Sequence, residues 1–447
     1  MRPKYKIQSL VIIFILFISI GIAQNTHPVW SAQSNIYEVN LRQYSASGSI
    51  KDFEKHLPRL KQMGVEILWF MPINPIGIEE RKMTSSDLGS YYAVRNYKEV
   101  NKEFGTMADW KAMVKHAHSM GFKVIIDWVP NHTATDNPWM KTHPDFYKRD
   151  KTGNATYDAD YTDTRNLNYE NMELRDTMIN VMKFWIRATN IDGFRCDHVD
   201  PMPIDFWEKC ITELKKIKDV FMLAESEKPE MHLAGFDETY AWSIKDAMKY
   251  LYDSKFSVSQ FDSVLKHNIQ VFSKNAFRLY FTTNHDENSW EGTEFEKYGD
   301  AYKAFAVFSE TFYQSVPLIY NGQEVPNKRR LKFFVKDPIE WNKFEMAPFY
   351  KTLLSLRKSN VALAADASYK KLVTANDIAI FAYVREKGKH KVTVLLNLSN
   401  QPQSFTVKDQ SVYGKPLNIF SEKKETVNRQ HVFSMQPWSY IVYNYDR

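Results

Sequence analysis

Residues 107–132 read MADWKAMVKHAHSMGFKVIIDWVPNH, and the punctuation of this stretch decides the fold. Met107, Trp110, Met113, Val114 and Ala117 recur at helical spacing, Gly121 stops the helix, and Val124 to Ile126 form an apolar run ending in Asp127. A run that is apolar at successive rather than alternate positions predicts a strand covered on both faces. The module recurs upstream, where Leu57, Leu60 and Met63 mark a helical face, Gly64 caps it and Val65 to Phe70 follow. Downstream, Met178, Val181, Met182 and Trp185 precede Gly193-Phe194-Arg195, and Phe206, Cys210 and Leu214 precede Val220 to Ala224. Further strands are expected at Ile36 to Val39, around Tyr240 to Trp242, at Leu279 to Thr282 and at Pro317 to Tyr320, making eight. Eight buried strands alternating with amphipathic helices predict an α/β fold, a closed (β/α)8 barrel. No GxGxxG fingerprint follows an early strand, so a dinucleotide-binding sheet lacks support.

Two segments break the alternation. Residues from about 131 to 169 are polar and aromatic, with Pro138, Pro144 and Gly153, far longer than the ~2–6 residues of a simple βα loop. From about residue 365 the period becomes two, as at Ile378, Ile380, Ala382 and Val384 and at Val392, Val394, Leu396 and Leu398, which predicts an antiparallel β-sandwich domain. At the other end, Arg2, Lys4 and Lys6 precede an apolar run and the small residues Gly21 and Ala23, the pattern of an export signal over residues 1–23. The division expected is therefore a signal at 1–23, a barrel at 24–364 and a β-domain at 365–447.

Composition narrows the function classes. The 447-residue chain is 44% apolar and 25% charged, an ordinary globular balance that disfavours disorder and coiled coil. Its net charge of +6 is halved by removing the signal, and the basic run Lys328-Arg329-Arg330 is not extended by a second cluster, so no nucleic-acid partner is expected. The apolar N-terminal run is too short for a spanning helix, so no stable membrane anchor is expected once it is removed. Two cysteines, Cys196 and Cys210, make no disulfide framework, and a monomer in the periplasm or outside the cell is expected.

In a parallel barrel the reactive groups stand at the carboxyl ends of the strands. The polar residues that directly follow apolar runs are Asp127 with Asn131 and His132, Arg195 with Asp197, Glu225, and His285 with Asp286. Any one of these alone reads equally well as a cap or a structural carboxylate. Four carboxylates, two histidines and an arginine on one rim read as a site.

Asp127-Trp128-Val129-Pro130-Asn131-His132, Gly193-Phe194-Arg195-Cys196-Asp197, Ala224-Glu225 and Phe281-Thr282-Thr283-Asn284-His285-Asp286 resemble, in order, the four signature regions of the α-amylase family of glycoside hydrolases. Tyr91-Tyr92-Ala93-Val94-Arg95-Asn96-Tyr97 resembles the family segment before the third strand, with Asn96 where aspartate is commoner. The excursion then corresponds to the family's inserted domain B and the β-region to its domain C.

The resemblance implies retaining cleavage of an α-glucosidic bond, which needs one carboxylate as nucleophile and one carboxylic acid at the leaving oxygen. It assigns these roles to Asp197 and Glu225, and gives Asp286 the sugar hydroxyls. Tyr92, His132, His285, Arg195 and Asp127 become substrate-binding residues, with Asp127 alternatively orienting Arg195. Trp128, Trp139, Phe146, Tyr147 and Tyr157 are candidate sugar platforms or the excursion's own core. No cofactor is needed for this chemistry. A structural calcium at Asn131 is an open expectation, because Asn166 stands where the family presents aspartate. Asp200 and Pro201 replace the lysine and histidine of many starch-cleaving members, which makes maltooligosaccharides as credible a substrate as starch. The implied function is an exported hydrolase of α-1,4-glucosidic bonds. The alternatives are a transglycosylase or α-glucosidase using the same residues, and a non-catalytic glycan-binding protein.

Overall fold

The computed structural model of the chain describes residues 27–81 and 87–445. The expected export signal lies outside the described residues. Eight strands form, the sixth and seventh each starting two residues ahead of the expected place: β1 (Ile36–Val39), β2 (Ile67–Phe70), β3 (Lys123–Trp128), β4 (Gly193–Cys196), β5 (Phe221–Ala224), β6 (Glu238–Tyr240), β7 (Phe277–Leu279) and β8 (Leu318–Tyr320); Trp242, expected in the sixth, opens a helix. They pair in parallel in chain order, β8 also pairs with β1, and hydrogen bonds from Arg278 N to Gln314 O (2.8 Å) and from Leu318 N to Tyr280 O (3.0 Å) link β7 to β8 and close the ring.

Both faces of the strands are buried, but they go to different places. Ile67 and Trp69 of β2 join Ile36, Ile125, Phe221, Leu223 and Leu279 inside the barrel. Leu68 and Phe70 pack outward with the helices, against Trp110 and Phe53. This parity positions the site: the inward series on β1 reaches Glu38, on β3 Asp127, on β4 Arg195 and then Asp197, and on β5 Glu225. Asp127 and Arg195 are register partners across β3 and β4.

The helices follow the sequence period. Met107–Ser119 buries Trp110, Met113, Val114 and Ala117, starts on a reciprocal cap between Thr106 and Asp109, and is followed by Gly121 at φ +79°. Met172–Thr189 and Ile204–Lys215 likewise bury the expected faces. Gly193 opens β4 beside β5, where a Cβ would stand 1.9 Å from the Phe221 carbonyl oxygen.

Beyond the barrel, strands at Ser368–Leu372, Ile380–Lys387, His390–Asn397 and Tyr440–Asn444 form an antiparallel sheet extended by two short strands. A two-stranded antiparallel sheet of Gln403–Phe405 with Phe433–Met435 covers one face, and Phe381, Tyr383, Val392 and Val394 turn the other to the barrel. The two layers of this sandwich are thus unequal. Ile378 departs from the expected pattern, lying exposed ahead of its strand. Fully buried Arg385 fastens sheet to barrel by donating to the carbonyls of Thr311 (2.9 Å) and Ala364 (2.7 Å).

The Gly193 contact is with backbone, which cannot rotate away. Gly193→Ala is expected to cost about 3 kcal/mol or more, read as a lowered denaturation midpoint with unchanged slope, whereas Gly153→Ala, with nothing within 4 Å of the added Cβ, pays only for its φ of +87°.

Candidate active site

One guanidinium organises the carboxyl end of the barrel. Arg195 Nη1 meets Asp127 Oδ1 at 3.0 Å and Asp197 Oδ1 at 2.7 Å, and Nη2 lies 2.7 Å from Glu225 Oε1. Its Nε donates to the Tyr240 hydroxyl (3.2 Å), and its plane lies over the Trp69 ring at 5.2 Å. Arg195 and Asp127 are fully buried, while the Asp197 and Glu225 side chains keep a small opening to solvent. One cation facing three carboxyl groups in a dry environment cannot hold all of them ionised. Burial pushes Glu225 up to about 7 against the pull of Arg195, with Asp197 and Asp286 adding repulsion. Burial also raises Asp197, opposed by Arg195, and raises Asp127 to about 6.

Local backbone reinforces the arrangement. His198, immediately after Asp197, sits at φ +42°, and its N–H donates to Glu225 Oε2 at 2.7 Å. A non-glycine residue in that region is unusual, and here the strained turn aims a donor at a carboxyl oxygen.

A second cluster adjoins the first. His285 Nδ1 is 2.5 Å from Glu38 Oε1, and Nε2 lies 2.8 Å from the Tyr92 hydroxyl and 3.2 Å from Asp286 Oδ2. Burial opposes charge on this imidazole, but Asp286 and Glu38 outweigh it and hold His285 well above its ordinary range. As an imidazolium it donates from both nitrogens. Burial likewise pushes Asp286 up, but His285 prevails and keeps it below the usual carboxylate value. Asp286 is the most open of the carboxylates, with its side chain 47% exposed. Tyr92 links the clusters, donating to Asp127 Oδ2 at 3.2 Å, and its ring stacks on His285 at 5.8 Å.

Asp127, Arg195, Asp197, Glu225, Tyr92, His285 and Asp286 therefore form one connected network. His132 stands apart from that network: its Nδ1 is 3.3 Å from the Asn131 amide, its Nε2 closes no hydrogen bond, and burial lowers its pKa to about 4, leaving it neutral. Among the candidate platforms, Trp128 is buried at the end of β3 against Phe194 and Met178, whereas Phe146 and Tyr147 are buried and Trp139 stacks on Tyr97, packing the excursion's own core. Tyr157 alone is exposed, beside Arg165. Cys196 points outward from the barrel into the core, as expected from strand alternation. Sequence reasoning missed Glu38, the Tyr240 hydroxyl and the His198 N–H. A glutamate inside the buried strand Ile36-Tyr37-Glu38-Val39 was a readable signal, because a buried charge needs a partner.

The surroundings of Asn131 bear on calcium. Asn131 Nδ2 donates to Asp158 Oδ2 (3.0 Å) and Asn166 Nδ2 to Asp158 Oδ1 (2.7 Å). Calcium wants six to eight oxygens, usually with several carboxylates. Here both oxygens of Asp158 accept amide protons, and no group of three or more His, Cys, Asp or Glu among the described residues is placed to hold a metal. The donor set at Asn131 does not fit calcium. Calcium or a chelator is accordingly expected to leave the melting temperature unchanged, whereas a site filled at a hundredfold excess over its Kd would add about 2.7 kcal/mol.

A (β/α)8 barrel whose rim gathers these carboxylates around an arginine defines a glycosidase. A family model described as the α-amylase catalytic domain matches residues 31–161 and 146–351, and one for the maltogenic amylase C-terminal domain matches residues 371–442. The chain belongs to the α-amylase family. It is 24% identical to α-amylase 2 of Dictyoglomus thermophilum over 85% of this chain and 72% of that protein. It is 25% identical to an α-1,4-glucan:maltose-1-phosphate maltosyltransferase of Picrophilus torridus, over 93% and 68%. The crystal structure of a maltogenic α-amylase from Thermotoga neapolitana superposes with a TM-score of 0.83 at 28% identity, covering 92% of this chain and 98% of that one. Among the described residues no helix is long and apolar enough to cross a membrane.

Proposed function

We propose that this protein is an exported, monomeric hydrolase that cleaves α-1,4-glucosidic bonds of maltooligosaccharides or starch with retention of configuration. The observation that carries this reading is the pair Asp197 and Glu225 held on the two terminal nitrogens of one guanidinium, each at 2.7 Å. That common anchor favours the short carboxyl separation of retaining enzymes over the wider gap that admits a water in inverting ones. The basic and apolar character of residues 1–23 supports export to the periplasm or cell exterior.

In the first step the Asp197 carboxylate bonds to the anomeric carbon as the glycosidic C–O bond breaks, and Glu225 passes its proton to the departing oxygen. In the second, the Glu225 carboxylate takes a proton from water, whose oxygen bonds to the anomeric carbon and releases Asp197. Asp286 accepts hydrogen bonds from hydroxyls of the sugar being transferred, with His285 and His132 donating to the same ring. Buried Arg195 positions the nucleophile and favours its anion against the effect of burial, beside a protonated Glu225, and Asp127 holds the guanidinium in place.

The likeness to a maltosyltransferase supports a second reading, in which a sugar hydroxyl replaces water in the second step. Early products longer than the starting maltoheptaose would favour that reading.

Because Glu225 must be protonated and titrates near about 7, kcat/KM is expected to fall as pH rises through that value. Glu225→Gln should remove this alkaline limb and lose far less activity on α-maltosyl fluoride, whose leaving group needs little protonation, than on maltooligosaccharides. Asp197→Asn should lose at least about a thousandfold in kcat while near-ultraviolet circular dichroism stays native; unchanged turnover would contradict the mechanism.

A further inference from the structure

We propose that Trp290 is a platform for a glucosyl unit bound beyond the one held at Asp286, so that it sets the enzyme's preference for longer chains. The inference rests on the α-glucan reading above. Five tryptophans, Trp69, Trp110, Trp128, Trp185 and Trp207, are among the largest fully buried side chains, whereas Trp290 is 54% exposed. Leaving that much indole in water forfeits burial energy that the fold takes elsewhere.

Trp290 lies four residues after Asp286 in a wide π-helical turn, Glu287–Glu291, a geometry associated with functional sites. The turn is fixed from both sides. Glu287 is gripped by Lys245 and Lys297, each at 2.7 Å, and Asn288 Oδ1 accepts from Leu331 N while Ser289 Oγ donates to Leu331 O, both at 2.8 Å. The exposed ring is therefore mounted on rigid backbone, which lowers the entropy lost when a ligand settles on it.

The ring also continues a line that starts in the site. Tyr92 stacks on His285, Phe333 lies at 6.4 Å and 15° to Tyr92, and Trp290 lies at 5.5 Å from Phe333. Aromatic rings thus link the site to Trp290, which Phe333 and Phe334 (6.0 Å) support while its own ring stays open to solvent, suited to the C–H face of a sugar ring.

The test is the ratio of kcat/KM on maltoheptaose to that on maltotriose for the wild type, Trp290→Ala and Trp290→Phe. The ratio should fall about tenfold in Trp290→Ala, through KM rather than kcat, and Trp290→Phe should retain most of it. A ratio within twofold of the wild type's in Trp290→Ala would overturn the proposal. Should the wild type cleave no maltooligosaccharide, the α-glucan reading fails by itself, and calorimetry with maltoheptaose decides the platform: weaker binding to Trp290→Ala supports it and equal binding overturns it.

Discussion

The site depends on a single buried cation. Arg195 lies where β3, β4 and β5 converge, in hydrogen-bond or ion-pair distance of Asp127, Asp197 and Glu225, with aromatic rings beneath it. Burying a guanidinium costs several kcal/mol unless its protons are met, and removing one partner of such a group leaves charge uncompensated at about 3–5 kcal/mol. The arrangement is stable because cation and carboxylates need one another. It is chemically useful because one positive charge does not serve three negative ones equally. Glu225, buried and repelled by Asp197 and Asp286, is left as the carboxyl group that holds its proton to about pH 7, while Asp197 accepts a hydrogen bond from Arg195 Nη1 that works against the effect of burial.

A second charge system at the edge of the first extends it outward. Glu38 sits fully buried on β1, and its pairing with His285 lets that imidazole stay charged in a dry place. The charge in turn holds Asp286 ionised at the most open point of the rim. Tyr92 touches both systems, so the open Asp286 carboxylate and the buried arginine share one hydrogen-bond network.

Much of this was legible in the sequence because barrel geometry converts chain position into spatial position. An apolar run ending in a polar residue says that the residue stands on the rim, and Asp127, Arg195, Asp197, Glu225 and Asp286 could be collected by that rule alone. Glu38 escaped because it lies within its strand rather than after it, and its partner is 247 residues away. The His198 N–H escaped because a backbone donor carries no residue signature, and Trp290 because exposure of an aromatic ring depends on a π-helical turn that periodicity does not reveal. Around Asn131, composition left calcium open, and only the direction of two amide groups toward Asp158 turned the pocket into a hydrogen-bonded knot.

The central claim is that Arg195 holds Asp197 and Glu225 close enough for direct displacement at the anomeric carbon. The most direct measurement is proton NMR of the first product released from a maltooligosaccharide, recorded before mutarotation. The account predicts the α-anomer; a β-anomer would mean that water attacks across the wider gap, and would contradict it.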